Sequence, residues 1–227
     1  MEHAYQIELD KITLTKLKQL LKKGRLLPSQ QVLKENLDER FDILQKAGIK
    51  NIQQLQAALK TKGNVSAFAK KTGIPENFLT ILRREANSYN PKPRALKDFP
   101  GVDKKLVSQL GKLGIADTIQ YLEKTGTKKD RKQLAQELGA NVKDIEALTR
   151  LADLTRLRYV NAAFATLLVK AGYDSVQRIS KSDPTALYND LVKANAGKKI
   201  FGGAIGLEDM RSCVLDAKEV PRPFIEY

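Results

Sequence analysis

Residues 100–105, Pro-Gly-Val-Asp-Lys-Lys, combine the residue types that bind an anion through the backbone. A glycine turn that leads into a helix presents backbone N–H groups with no partner inside the helix, and the helix polarity adds positive potential there. A phosphate oxygen is a favourable occupant of such a turn. Gly101 would let a nucleic-acid strand approach closely, and Lys104 and Lys105 would add positive charge. A purely structural turn at Pro100 and Gly101 is the alternative.

Asp103 complicates this interpretation. Its carboxylate is a good helix cap, yet it puts a negative charge where a phosphate would bind. The two lysines that follow it oppose the helix dipole at a cost of roughly 0.3 kcal/mol or more each, which is unexpected for a turn with only a structural role. The candidate nucleic-acid-binding turn therefore contains Gly101, Val102, Asp103, Lys104 and Lys105.

The segment Leu96–Ile115 contains this turn within Leu-Lys-Asp-Phe-Pro-Gly-Val-Asp-Lys-Lys-Leu-Val and resembles the helix-hairpin-helix motif. In that motif an apolar residue, a Pro-Gly-apolar-Gly turn and a following helix bind the nucleic-acid backbone without reading its sequence. The resemblance implies the same role for the turn at Gly101. The second glycine of the motif is Asp103 here, which is the main departure from the pattern.

Charge is the strongest compositional indication of a partner. The 227 residues include 40 Lys and Arg against 26 Asp and Glu, for a net charge of +14. A polyanion is the natural partner for such an excess, and lysines that only solvate helix faces are the alternative. Residues 91–150 hold 13 basic and 8 acidic side chains, whereas residues 151–227 hold 11 and 9. Six further cations join the candidate nucleic-acid site: Arg83, Arg84, Lys128, Lys129, Arg131 and Lys132.

Few residues are suited to catalysis. The chain has one histidine, His3, and one cysteine, Cys213, so it offers no Ser-His-Asp or Cys-His arrangement and no histidine or cysteine zinc cluster. Asp98 and Asp103 are too few acidic ligands for a catalytic divalent ion. The absence of tryptophan, with seven Phe and seven Tyr, disfavours a base-stacking single-strand binder. We expect no enzymatic activity, no cofactor and no metal site.

The glycine-rich segment Gly197–Gly206 is a second possible phosphate cradle. It reads Gly-Lys-Lys-Ile-Phe-Gly-Gly-Ala-Ile-Gly, with four glycines and two lysines. Its spacing is not that of a P-loop, and a mobile connector fits the composition equally well.

An internal repeat defines the elements that must position these residues. Residues 44–86 and 110–152 align without a gap at an offset of 66, with twelve identities among 43 pairs, and a looser third copy begins near Leu168. Such repetition indicates one supersecondary unit copied along the chain. Each copy places a glycine where a helix should end and a capping residue three positions later, as Gly48 and Asn51, Gly114 and Asp117, and Gly172 and Ser175.

A wider resemblance covers most of the chain after residue 30. Leu82-Arg-Arg-Glu-Ala86, the following Leu96–Gly101 and the region from Leu151 to Val220 resemble an uncharacterised bacterial family of tandem helix-hairpin-helix-like domains, known only as a domain of unknown function. The resemblance implies a compact SAM-like helical fold and supplies no activity. Apolar residues recur at helical spacing, with no sustained alternation. We therefore predict an all-α protein built from tandem repeats of a small helix-hairpin-helix or SAM-like bundle.

The predicted domains follow the repeat and its linker. Prolines in Asn87–Arg94 disfavour helix and mark the clearest break. The predicted divisions are an N-terminal helical extension at 1–36, repeat one at 37–90, a linker at 91–94, the helix-hairpin-helix repeat two at 95–153, repeat three at 154–220 and a tail at 221–227. The segments equivalent to the Gly101 turn, Leu33–Leu37 in copy one and Leu157–Asn161 in copy three, contain no glycine. We therefore expect only the Gly101 turn of copy two to bind nucleic acid.

Two functions fit these observations. The first is sequence-independent binding of nucleic acid, with the backbone of duplex DNA as the expected partner. The second is a helical adaptor or scaffold for protein–protein interaction with no nucleic-acid binding. No apolar run approaches the ~20 residues that span a bilayer, and the N-terminus lacks a signal-peptide pattern, so we expect a cytoplasmic protein with no membrane partner.

Overall fold

The computed structural model describes residues 8–24, 26, 28–197, 199–220 and 225–227. These residues form helices and two isolated β-bridges but no strand, which confirms the predicted all-helical fold. Residues 1–7 of the predicted N-terminal extension and residues 221–224 of the predicted tail lie outside the described residues. In the described part of the chain, no helix has both the length and the apolar character needed to cross a membrane.

The chain divides into two compact units, an N-terminal unit at Glu8–Asn90 and a C-terminal unit that begins at Pro91. The division coincides with Pro91 and Pro93, whose rings disfavour helix in the residues before them. Residues 91–94 have no regular structure. The finer division of each unit into repeats stays a prediction.

The N-terminal unit packs its last helix against the others. Its helices are α1 (Leu14–Lys23), a 3₁₀ helix (Pro28–Lys34), α2 (Leu37–Lys46), α3 (Ile52–Ala58), α4 (Lys62–Thr72) and α5 (Glu76–Ser88). Helix α5 contacts α3, α4 and the 3₁₀ helix and buries Phe78, Leu79 and Leu82 among them. This apolar face is what holds the unit together.

The C-terminal unit is larger and has α9 at its centre. Its helices are a 3₁₀ helix (Leu96–Asp98), α6 (Lys104–Lys112), α7 (Thr118–Glu123), α8 (Lys128–Leu138), α9 (Val142–Leu154), α10 (Ala162–Lys170), α11 (Val176–Ser180), α12 (Pro184–Ala196) and α13 (Leu207–Glu219). Helix α9 contacts α7, α8 and α10, and α13 contacts α11 and α12. The second and third copies of the repeat therefore share one compact unit.

The glycine stops predicted from the repeat are confirmed. Gly48, Gly114 and Gly172 have φ of +90°, +75° and +90°. This left-handed conformation at the end of a helix has a low energy for glycine, which lacks a side chain. The residue after each glycine donates its N–H to a carbonyl five residues back, as Ile49 to Leu44 at 3.1 Å, Ile115 to Leu110 at 3.0 Å and Tyr173 to Leu168 at 2.8 Å. The predicted caps also form, with the side chains of Asn51, Asp117 and Ser175 accepting backbone N–H groups of the next helix.

The two units begin with the same pair of backbone hydrogen bonds. In the N-terminal unit, Leu14 donates to Lys50 at 2.8 Å and Ile52 donates to Ile12 at 3.0 Å. In the C-terminal unit, the equivalent bonds run from Leu96 to Ala116 at 2.9 Å and from Thr118 to Arg94 at 2.9 Å. A gap-free alignment at an offset of 66 could not include this segment, because Lys50 and Ala116 lie 66 positions apart whereas Leu14 and Leu96 lie 82 apart.

Candidate nucleic-acid interface

The Gly101 turn, residues 99–103, joins the 3₁₀ helix of the C-terminal unit to α6. Phe99 is buried and anchors the turn, and its carbonyl accepts the N–H of Val102 at 3.4 Å. Gly101 is exposed and has φ of +82°, so a side chain there would strain the backbone. The turn therefore needs its glycine for conformation.

The Gly101 turn leaves backbone donors open to solvent. Among the described residues, the N–H groups of Gly101, Asp103 and Lys104 have no hydrogen-bond acceptor. The Asp103 side chain accepts the N–H of Lys105 at 2.9 Å and so caps α6. Lys104 and Lys105 are both exposed. Within the turn, the exposed lysines therefore lie beside open backbone donors, and the Asp103 carboxylate is engaged in capping.

A second turn in the same unit has the same backbone geometry. The Tyr159 turn, residues 157–161, joins α9 to α10, and Val160 donates its N–H to the Leu157 carbonyl at 3.4 Å. Tyr159 has φ of +64°, where Gly101 has +82°. Asn161 caps α10 by accepting the N–H of Phe164 at 2.9 Å. The absence of glycine from this segment had predicted that copy two alone would bind, yet the backbone conformation of the turn is present in copy three as well.

A left-handed tyrosine requires support from its surroundings. The conformation costs a non-glycine residue about 1–2 kcal/mol. All eight residues before Tyr159, residues 151–158, are buried, so the chain on that side is fixed. The guanidinium of Arg158 lies 5.1 Å from the Tyr159 ring centroid, and Arg158 Nη1 pairs with Asp216 Oδ1 at 3.3 Å. Tertiary packing, rather than residue type, imposes the conformation.

A buried polar cluster lies behind the Tyr159 turn. Asp153 is 2% exposed and accepts hydrogen bonds from Arg156 Nη1 at 2.7 Å, the Val176 N–H at 3.0 Å and the Tyr227 hydroxyl at 2.8 Å. Burial and the negative charge of Asp153 raise the pKa of Tyr227, so the hydroxyl stays protonated and donates. The cluster joins α9, α11 and the C-terminal residue.

Arg94 links the segment before the Gly101 turn to the Tyr159 turn. Its Nη2 donates to the Val160 carbonyl at 3.4 Å, while its backbone N–H donates to Thr118 Oγ1 at 3.0 Å. The backbone from Arg94 to Phe99 spans at most about 18 Å even when fully extended. The two turns therefore lie within reach of a single nucleic-acid duplex turn of ~34 Å.

The N-terminal unit does not repeat this geometry. Its left-handed residue is Asn36, with φ of +45°, and Asn36 itself occupies the N-terminal cap position of α2. In the other two turns the left-handed residue precedes the cap by two positions. The Asn36 side chain makes no capping hydrogen bond. The segment Leu33–Leu37 therefore enters its helix by a different route.

Arg131 differs from its prediction as a surface cation. It is 3% exposed and donates to the carbonyls of Thr125 at 2.8 Å and Glu226 at 2.6 Å. Glu226 in turn donates its N–H to Gly126 at 2.9 Å. Arg131 therefore fixes the C-terminal residues against α8, and its guanidinium is not available to a phosphate. Its positive charge gave no hint of burial.

The remaining predicted cations belong to other elements than the Gly101 turn. Lys128, Lys129 and Lys132 are exposed on the first turns of α8. Helix α8 meets α6 at its other end, where Gln109 Nε2 donates to the Leu138 carbonyl at 2.8 Å, about 15 Å along the helix. Two further cations belong to the N-terminal unit, namely Arg83, which donates to the Lys60 carbonyl at 2.9 Å, and the exposed Arg84.

The glycine-rich insertion is anchored at its centre. Asn195 Oδ1 accepts the N–H groups of Ile200 at 2.9 Å and Phe201 at 3.1 Å, and Asn195 Nδ2 donates to the Phe201 carbonyl at 2.9 Å. The Phe201 ring packs on Phe164 with centroids 4.9 Å apart. Within the described residues, no group of three or more His, Cys, Asp or Glu side chains could hold a metal ion.

Comparison with known proteins assigns the chain to a family. No curated protein and no solved structure matches the chain. Residues 100–220, more than half of the chain, match the model of a family described as a domain of unknown function, DUF4332. The matched region begins at the Gly101 turn and ends at the close of α13. The chain therefore belongs to the DUF4332 family.

Proposed function

We propose that this protein is a non-enzymatic binder of the nucleic-acid backbone, with duplex DNA as the expected ligand. The observation that carries the proposal is the Gly101 turn. It offers three backbone N–H groups that find no acceptor among the residues the structure describes, next to the exposed Lys104 and Lys105. Backbone donors at the start of a nine-residue helix, reinforced by two ammonium groups, favour a phosphate.

We further propose that the Gly101 and Tyr159 turns are a pair of helix-hairpin-helix elements within a SAM-like unit. Both have a left-handed residue two positions before the helix cap and the same 3.4 Å backbone hydrogen bond. Two such turns can contact the backbone of a duplex at two points. Contacts to phosphates position a protein on DNA without reading its sequence.

The charges around the turn favour the same ligand. Lys97, Lys104 and Lys105 are exposed around it, against the exposed carboxylates of Asp98 and Asp103. Asp103 reduces affinity for phosphate, and the capping bond to Lys105 directs one of its oxygens into the helix. Net attraction therefore depends on the two lysines.

The test is binding of a random-sequence 20-base-pair duplex at low salt, measured by fluorescence anisotropy. Reversing both charges in K104E/K105E should weaken binding about tenfold or more, which corresponds to roughly 1.4 kcal/mol. The matched control is K70E/K71E, which reverses another adjacent pair of exposed lysines on α4 of the N-terminal unit. Absence of binding by the unmodified protein, or equal losses in both variants, would contradict the proposal.

An adaptor function is the second candidate, and exposed apolar side chains favour it. Val192 on α12 and Leu215 on α13 are 44% and 47% exposed, and these two helices pack against each other. A protein partner could cover these two apolar side chains. A complex that survives nuclease treatment and is lost in V192E/L215E would support the adaptor; partners released by nuclease alone would count against it.

A further inference from the structure

Tyr159 is unusual among the aromatic residues of this protein. Its side chain is 67% exposed, the highest value for any large apolar residue in the described part of the chain. Tyr89 and Tyr121, by contrast, are fully buried. A single exposed aromatic residue needs no explanation by itself. Its position and its backbone conformation provide the further observations.

The position of Tyr159 is one that glycine would fill with less strain. The equivalent residue of the neighbouring turn is Gly101, with nearly the same φ. A glycine at 159 would remove both the backbone strain and the exposed ring. Strained residues of this kind concentrate at functional sites, where the surrounding structure enforces them.

The Tyr159 ring is held in place from the protein side. Arg158 is 9% exposed, its guanidinium lies over the ring at 5.1 Å from the centroid, and its Nη2 donates to the Tyr159 hydroxyl at 3.2 Å. Asp216 fixes Arg158 in turn. An aromatic side chain held in this way loses little freedom when a ligand stacks on it.

A nucleic-acid base is the ligand that such a ring fits beside a phosphate-binding turn. Aromatic side chains stack on the face of any base, without regard to sequence. In an intact duplex both faces of each interior base are already covered by neighbouring base pairs. An exposed base face occurs at a gap, a bulge or a junction with a single strand.

We infer that Tyr159 stacks on an unpaired base and directs the C-terminal unit to sites where duplex DNA adjoins unpaired nucleotides. This inference rests on the proposed function, since the Gly101 turn supplies the contact to the adjacent duplex backbone. Arg94, which donates to Val160 within the Tyr159 turn and begins the segment that leads to the Gly101 turn, connects the two contacts. The Gly101 turn holds the duplex, and Tyr159 selects the unpaired position.

The experiment compares two DNAs of equal length, an intact duplex and the same duplex with a two-nucleotide gap. A 2-aminopurine placed in the gap reports stacking directly by fluorescence quenching. Unmodified protein should bind the gapped DNA roughly tenfold more tightly and quench the 2-aminopurine. Y159G, which lacks the ring, should lose both the preference for gapped DNA and the quenching. Y159F, which keeps the ring, should retain both.

The variants separate stacking from a structural role. Glycine adopts the left-handed conformation freely, so Y159G should fold at least as stably as the unmodified protein, as thermal unfolding would show. Equal binding of both DNAs by the unmodified protein, or retention of the gap preference in Y159G, would overturn the inference and leave the proposed function intact. If Y159F lost the preference for gapped DNA, the preference would depend on the hydroxyl, and this result would also overturn the inference that the ring stacks on a base. Failure to bind either DNA would instead overturn the proposed function.

Discussion

The Gly101 and Tyr159 turns reach one backbone conformation by different means. The Gly101 turn uses a residue without a side chain, and its surroundings are exposed lysines and carboxylates. The Tyr159 turn uses a strained residue that is supported by buried ion pairs, Arg158 with Asp216 and Asp153 with Arg156. Local sequence determines the first turn, whereas the core of the unit determines the second. A missing glycine therefore does not show that a turn has been lost.

The largest expected difference is in the stability lost when an acidic residue is removed from the buried cluster beside the Tyr159 turn or from the exposed Gly101 turn. Asp153→Ala removes the acceptor of three hydrogen bonds, one of them an ion pair with the buried Arg156, so we expect a loss of about 3–5 kcal/mol in unfolding free energy. Asp103→Ala removes an exposed helix cap and should cost about 1 kcal/mol. Denaturant unfolding followed by circular dichroism measures both. Equal losses would contradict the distinction between the two turns.

The second prediction exchanges the residues that carry the left-handed conformation. Gly101→Ala should lower the unfolding free energy by about 1–2 kcal/mol, because alanine at φ of +82° is strained. Tyr159→Gly relieves comparable strain and should be neutral or stabilising by up to about 1 kcal/mol, since the more flexible unfolded chain offsets part of the gain. Changes of the same sign in both variants would be inconsistent with a shared geometry.

The third prediction makes the Gly101 turn more like the Tyr159 turn, whose cap is Asn161. Asp103→Asn keeps a capping oxygen and removes a negative charge near the proposed phosphate position. Duplex affinity should rise about fivefold, equivalent to about 1 kcal/mol for a single charge interaction at short range. Anisotropy titrations at fixed salt measure it, with Asp144→Asn on α9 as a control of equal charge change. If Asp103→Asn left the duplex affinity unchanged, no phosphate would bind at this turn.

The smallest expected effect is a pH dependence of stability that originates at the buried Cys213 on α13. Burial, followed by the charge of Asp216, raises the pKa of the Cys213 thiol to about 12. The unfolded thiol ionises near pH ~8.5, so the folded state loses relative stability as the pH rises above that value, by less than about 1 kcal/mol at pH 9. Unfolding curves at pH 7 and pH 9 should show this loss in the unmodified protein. Cys213→Val should lack this contribution, and an identical pH response in the two proteins would argue against it.

The sequence predicted the elements whose determinants are local. A glycine that ends a helix and a polar residue that caps the next one, such as Gly114 and Asp117, act within a few residues of their own position. The Gly101 turn was recognised for the same reason. Helix ends and caps could therefore be assigned from residue type and spacing alone.

The features that the sequence did not predict depend on distant contacts. Arg131 is buried because residues near the C-terminus, 95 positions away, accept from its guanidinium. Tyr159 is left-handed because Arg158 and Asp216, 58 positions apart, fix the chain beside it. Neither position differs in residue type from an ordinary surface cation or helix residue. The sequence signal at Tyr159 is its place directly before Val160-Asn161, where the equivalent turn has Gly101 before Val102-Asp103.

The most direct test of phosphate binding at the Gly101 turn is the salt dependence of duplex affinity. Each lysine that neutralises a phosphate contributes about −0.9 to the slope of log K against log salt concentration. The slope for K104A/K105A should therefore be shallower than that of the unmodified protein by about 1.8. Slopes that coincide, with both proteins binding, would show that these lysines do not meet phosphate and would contradict the account.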